Sequence, residues 1–140
     1  MDSNTLSDVR DTPLSVEEVL SAVADPRAGA VVSFTGLVRD HDSGKGVAGL
    51  EYSAHPSAVE ALQSLVLKTQ QRPGVVRVAA VHRVGALQIG DLAVALAVSA
   101  EHRGEAFEAC SYLIDTLKST VPIWKHQIFQ DGSQEWVGTP

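Results

Sequence analysis

Residues 92–129 read LAVALAVSAEHRGEAFEACSYLIDTLKSTVPIWKHQIF. The first eight residues are almost wholly apolar, as in a central strand covered on both faces. Phe107, Cys110, Leu113, Ile114 and Leu117 then recur at helical spacing and predict an amphipathic helix over 104–120. Pro122 separates that helix from 123–129, which has strand composition. The stretch is therefore a strand–helix–strand unit. His102 and Arg103 stand just before its helix, Lys118 at the helix's far end, and Lys125 just beyond the proline. These groups can hold or protonate an anion, in a chain whose formal net charge is −6.

The rest of the chain repeats this alternation. Ser15 and Glu18 have capping-box spacing, and Val16, Val19, Leu20 and Val23 predict a helix over 16–24. Residues 29–38 are rich in β-branched side chains and read as a buried strand. They end in the polar, glycine-containing run 39–46, and 47–54 resumes as a strand, so the pair is expected to form a hairpin with a long tip. A second amphipathic helix runs from Pro56 to the Arg72-Pro73-Gly74 stop. Residues 75–84 are a strand, and Gly85 and Gly90-Asp91 mark turns around 86–89. Asp131-Gly132 is a tight turn into a last strand over 134–137. The order is αββαββαββ. Helices that interrupt strand pairs favour a single α+β domain with a mostly antiparallel sheet packed by helices. Residues 1–14 are expected to be a flexible N-terminal segment and residues 15–140 the domain.

Composition narrows the function classes. A chain of 140 residues, 44% hydrophobic, can bury a core without disulfides or metals. Its acidic balance is opposite in sign to that of a nonspecific nucleic-acid binder, and no polybasic patch suggests a membrane surface. The single cysteine, Cys110, excludes an internal disulfide and a thiolate metal site. Its apolar neighbours make it a small buried hydrophobe rather than a nucleophile. No apolar run is long enough for a transmembrane helix, and the N-terminus lacks a signal-peptide core, so a cytoplasmic address is expected.

Each cationic group has a functional and a structural reading. A helix N-terminus favours anions, and Arg103 would add a planar multi-donor group suited to phosphate or carboxylate. Equally, Arg103 can pair with Glu101 or Glu105 in solvent. Arg39, at a strand end, can serve a binding loop or pair with Asp40 or Asp42. Lys118 at the edge of the apolar stripe, and Lys125 on a strand, become acids, bases or nucleophiles when desolvated or set near other cations. Singly, Lys118 can equally stabilise a helix C-terminus, and Lys125 can be a solvated strand lysine. Arg103 and Lys118 lie on one helix, about 22 Å apart at about 1.5 Å per residue. One small ligand cannot bridge that distance. A shared pocket therefore requires a homodimer, with Arg39, Lys118 and Lys125 from one chain and His102 and Arg103 from the other.

The ordered set Phe34-Thr35-Gly36-Leu37-Val38-Arg39, Leu50-Glu51-Tyr52, Val81-His82-Arg83-Val84-Gly85, Gly90-Asp91, Ser99-Ala100-Glu101-His102-Arg103 with Ala106-Phe107, Leu117-Lys118 and Pro122-Ile123-Trp124-Lys125 closely resembles the large, catalytic subunits of molybdopterin synthase. The likeness spans 15–137. It implies an α/β-hammerhead fold, a central homodimer within a heterotetramer, and a small ubiquitin-like partner whose C-terminal Gly-Gly carries a thiocarboxylate. It implies transfer of two sulfurs to cyclic pyranopterin monophosphate (precursor Z), giving the dithiolene of molybdopterin in molybdenum cofactor biosynthesis. In this resemblance Lys118 and Lys125 are the catalytic candidates. Arg39, His102 and Arg103, with Leu37, Val38, His126 and Gln127, are the substrate-binding ones. No cofactor or metal is implied for this step. The family usually continues after Trp-Lys with a basic residue and a glutamate; here His126-Gln127 stands instead. That departure is the one feature favouring a noncatalytic module that binds a Gly-Gly tail or a phosphorylated metabolite.

Overall fold

The computed structural model describes residues 5–138. Its elements in order are β1 (Thr5–Arg10), α1 (Val16–Val23), β2 (Ala30–Leu37), β3 (His41–Asp42), β4 (Lys45–Ala54), α2 (Ala58–Gln70), β5 (Val75–Arg83), β6 (Gly85–Leu87), β7 (Leu92–Ala100), α3 (Arg103–Thr120), β8 (Ile123–Phe129) and β9 (Gln134–Gly138). The chain is a mixed α+β domain, as its sequence predicts. Its strands divide between two sheets, ordered β1-β5-β7-β2 and β3-β4-β8-β9, with β6 on β4. Every pairing is antiparallel except β1 with β5.

The core is organised by the pleat of β5 and β7. Val78, Ala80, Val94, Leu96 and Val98 point to one face, where α2 and α3 supply Leu62, Leu65, Val66, Leu113 and Leu117. Ala79, Val81, Ala95 and Ala97 point to the other face, against Val19 and Val23 of α1. Side chains alternate across a strand, so a strand covered on both sides must be apolar at every position. The short alanines let α1 lie close. Ser15 begins α1 as the spacing predicts: its hydroxyl accepts a hydrogen bond from the Glu18 N–H at 3.2 Å.

Two expectations are corrected. Residues 5–10 are not a flexible segment. They form β1, paired in parallel with β5 from Thr5↔Val78 to Arg10↔Arg83, and Arg10 binds the Glu18 carboxylate of α1. Long-range ladder bonds order a stretch whose own polar composition gives no sign of them; residues 1–4 lie outside the described residues. Nor do β2 and β4 form a hairpin. β2 pairs with β7, and a bulge at Gly36/Leu37 ends the ladder. Val38 then accepts from the Gly90 N–H and donates to the Asp91 carbonyl, carrying the chain into the second sheet. The expected long tip is instead a tight β3–β4 hairpin. Its loop, Ser43 (φ 53°) and Gly44 (φ 77°), is left-handed at both positions, the geometry that matches strand twist.

Leu96 is fully buried at the centre of β7. Leu96→Ala is expected to cost roughly 2–5 kcal/mol, read as a lower urea midpoint at unchanged m-value.

Candidate active site

The bulged end of β2, strands β4 and β8, and the last turn of α3 converge on one concave surface. A cavity of about 460 Å³ there is lined by Arg39, Tyr52, His82, Lys118 and Lys125 over a floor that includes Val94, Ile114 and Leu117. Two smaller recesses continue it. One, of about 170 Å³, runs between Lys118, Ile123 and Val137. The other, of about 50 Å³, runs between Arg39, Asp42 and Gln127. Tyr52 and Lys125 border all three.

The placement follows from local structure. Lys118 sits in the last turn of α3, beside buried Leu117. Lys125 is the direct cross-strand partner of Tyr52. By the period-2 rule Lys125 and Gln127 share a face of β8, while Trp124 and His126 take the other. His126 accordingly stacks on Trp136, with ring centroids 4.2 Å apart and planes 6° apart, and its Nε2–H donates to Gln134 at 2.8 Å. His126 therefore lies outside the cavity. Val38 borders the small recess but is buried with Leu50, Leu87 and Ala93, so it anchors the wall, whereas Leu37 is exposed at the rim.

His102 and Arg103 are at the opposite end of α3. The helix is continuous from Arg103 to Thr120, so the 22 Å separation expected from helix rise stands. His102 is the N-cap residue but makes no side-chain cap bond; its Nδ1 faces Glu105 Oε1 at 3.2 Å. Among the described residues no hydrogen bond or ion pair holds Arg103, and it is exposed. Within one chain the structure brings together Arg39, Lys118 and Lys125, and leaves His102 and Arg103 at the far end of α3.

Tyr52 and His82 are site residues that spacing alone does not single out. Their rings meet edge to face, with centroids 5.1 Å apart and planes at 81°. His82 is 7% exposed. Its Nδ1 must donate to the Arg83 carbonyl at 2.8 Å, which leaves Nε2 as the acceptor of a neutral ring. Burial holds its pKa below the ordinary value, and the nearby Lys118 charge acts the same way. Burial also raises the Tyr52 pKa, keeping the phenol protonated. The available signal was parity: His82 is in phase with Val78 and Ala80, which face α3. Gln127 is also buried and donates to Asp42 Oδ2 at 2.5 Å. The carboxylate that position 127 lacks thus stands across the recess, on Asp42.

A wider depression of about 740 Å³, between α2 and β8, is lined by His55, Glu60 and Trp124 but by no lysine or arginine. It is larger but chemically unsuited to an anion. Among the described residues no group of three His, Cys, Asp or Glu side chains is placed to hold a metal. No described helix is long and apolar enough to cross a membrane.

A cationic cavity on an α+β frame, reached by an ordered set of motifs, invites comparison with known proteins. The family model described as MoaE protein matches residues 9–120. The chain belongs to the MoaE family. It is 49% identical over 129 residues to molybdopterin synthase catalytic subunit 1 of Mycobacterium tuberculosis, covering 91% of this chain and 87% of that one. The crystal structure of molybdopterin synthase from Staphylococcus aureus superposes with a TM-score of 0.85 at 38% identity, covering 93% of this chain and 95% of that chain. A complex of subunits 1 and 2 of molybdopterin-converting factor from Helicobacter pylori shares the fold, with a TM-score of 0.76 at 22% identity over 96% and 93% of the two chains. The family match begins at residue 9, inside β1, so the parallel edge strand overlaps the start of the MoaE region.

Cys110 lies in the core on α3, outside the cavity, and burial pushes its thiol up to about 11. At pH 8 about 0.1% would be thiolate by that value. Iodoacetamide is expected to leave Cys110 unmodified in the folded protein and to alkylate it fully in urea, as read by intact mass.

Proposed function

We propose that this chain is the catalytic subunit of molybdopterin synthase, moving two sulfurs to cyclic pyranopterin monophosphate, one from each of two thiocarboxylated partner C-termini. The carrying observation is the convergence of Arg39, Lys118 and Lys125 on one cavity. Both reactants of this chemistry are anions, a phosphate ester and a thiocarboxylate. Fixed cations at a partly dehydrated site stabilise the charge they bring and the charge that develops. Lys118 stands over the apolar floor at the helix end, where it steers the thiocarboxylate sulfur and moves protons as sulfur adds and the acyl intermediate is hydrolysed. Lys125, opposite Tyr52, assists by charge or proton transfer. Arg39 holds phosphate. Sulfur arrives on the partner protein, so no cysteine nucleophile is required, in keeping with a buried Cys110.

Arg103 and His102 complete the pocket from the other copy of a homodimer. Their exposure and their distance from Lys118 support this, because neither can serve the cavity of its own chain. The partner is a small ubiquitin-like sulfur carrier whose Gly-Gly tail enters the pocket, so the assembly is a heterotetramer acting in the cytoplasm.

The deciding assay mixes this chain with thiocarboxylated partner and pyranopterin phosphate and measures dithiolene formation. Product formation is the expected result. Tail or phosphate binding without product would instead favour the noncatalytic module. Lys118→Ala is expected to reduce product at least ~100-fold, with unchanged circular dichroism and partner affinity; wild-type-like turnover would remove the catalytic assignment. Subunit exchange tests the shared pocket. Randomly mixed Arg103→Ala and Lys118→Ala dimers should recover about one quarter of wild-type sites, since each mixed dimer of a two-fold assembly holds one intact pocket. No recovery would place Arg103 outside it.

A further inference from the structure

We propose that Asp42 is a positioning residue of this pocket, a carboxylate clamped by Gln127 that sets Arg39 and Lys125 for an anionic reactant. The inference rests on the reading of the cavity as an anion site and adds to it the counter-charge that orders its cations.

Asp42 ends β3, immediately before the Ser43-Gly44 turn. An aspartate serving only a turn would hydrogen-bond its own local backbone. Asp42 accepts from the Ser43 backbone N–H in that way, but it also reaches past β4 to β8, where its Oδ2 accepts from Gln127 Nε2 at 2.5 Å. Gln127 is 3% exposed, so its amide requires a partner, and the two side chains fix each other. The second oxygen, Oδ1, lies 3.4 Å from Arg39 Nη2. Asp42 is the one carboxylate among the residues bordering the recess that also holds Arg39, Lys125 and Tyr52. The Gln127 hydrogen bond, and then the charges of Lys125 and Arg39, hold the Asp42 carboxyl below the usual carboxylate range, so it is ionised at neutral pH.

A carboxylate that contacts one cation and lies in the field of a second has two opposed effects on an incoming anion. It orients the cations and reduces their mutual repulsion, which favours a single productive arrangement. It also subtracts from the positive field that attracts the anion. Removing its charge should therefore tighten anion binding and slow the reaction. A residue that only stabilised the β3–β4 hairpin would weaken both together.

The test uses the full-length protein with inorganic phosphate as the probe, titrated by NMR at low ionic strength, alongside turnover with thiocarboxylated partner. Asp42→Asn preserves shape and removes one charge. It is expected to bind phosphate about threefold more tightly, as one unit charge several ångströms away in a high dielectric implies. Turnover should fall about tenfold with KM for the pyranopterin phosphate unchanged or lower. Combining D42N with Q127E returns a carboxylate to the same pair with donor and acceptor exchanged, and should restore both quantities to within about twofold of wild type. Thermal unfolding of each variant separates these effects from loss of fold. Phosphate binding by D42N no tighter than wild type, or a double variant that stays at D42N values, would overturn the proposal. If the wild-type protein makes no dithiolene, the proposed function falls, and the phosphate titration of the two variants alone decides the role of Asp42.

Discussion

The structure depends on β7 being buried on both faces. Val94, Leu96 and Val98 pack α2 and α3 on one side, and Ala95 and Ala97 admit α1 on the other. β7 also lies between β5 and β2, so its backbone is paired along both edges. The chain leaves this strand at Ala100 and enters α3 at Arg103. The position and direction of α3 are thus set by the most constrained element in the molecule. Lys118 is delivered to the cavity because Leu113, Ile114 and Leu117 lock that helix onto the sheet.

The same helix divides the charged groups. Its rigidity keeps His102 and Arg103 a fixed distance from Lys118, so these groups can serve one small ligand only if a second copy of the chain supplies one of them. The second sheet contributes the remaining wall. β4 and β8 place Tyr52 opposite Lys125, and β8 sends Lys125 and Gln127 into the cavity while turning His126 out against Trp136. A one-residue change of register would exchange these faces, so the β4–β8 ladder is as much a part of the site as the lysines.

Much of this was legible in the chain. The helices and most strands carry their own periodicity and caps: Ser15 with Glu18, the stripe from Phe107 to Leu117, the unbroken apolar run of β7. The cationic residues were visible as exceptions within an acidic sequence. What was not legible involved partners distant in sequence. Residues 5–10 look polar and unremarkable because a parallel edge strand is defined by its ladder to β5. β2 and β4 look like a hairpin because adjacent strands commonly pair, yet each finds its neighbour elsewhere. Phe107 belongs to the apolar spacing of α3 but is 61% exposed, since the core reaches only part of that stripe. His82 and Tyr52 belong to the ordered motifs but not to the candidate site residues for a related reason: their shared space exists only once β5, β4 and α3 are assembled.

The sequence by itself determined the class of the domain, the extent of α3 and the separation of two cationic groups along it. These follow from residue spacing and from a helix rise that does not vary. Only the tertiary structure decided which side chains share a cavity, that Gln127 meets a carboxylate on Asp42, and that His126 faces away. Those facts depend on strand pairing and register across 85 residues of chain, where the free energy comes from long-range burial and ladder bonds that no local pattern encodes.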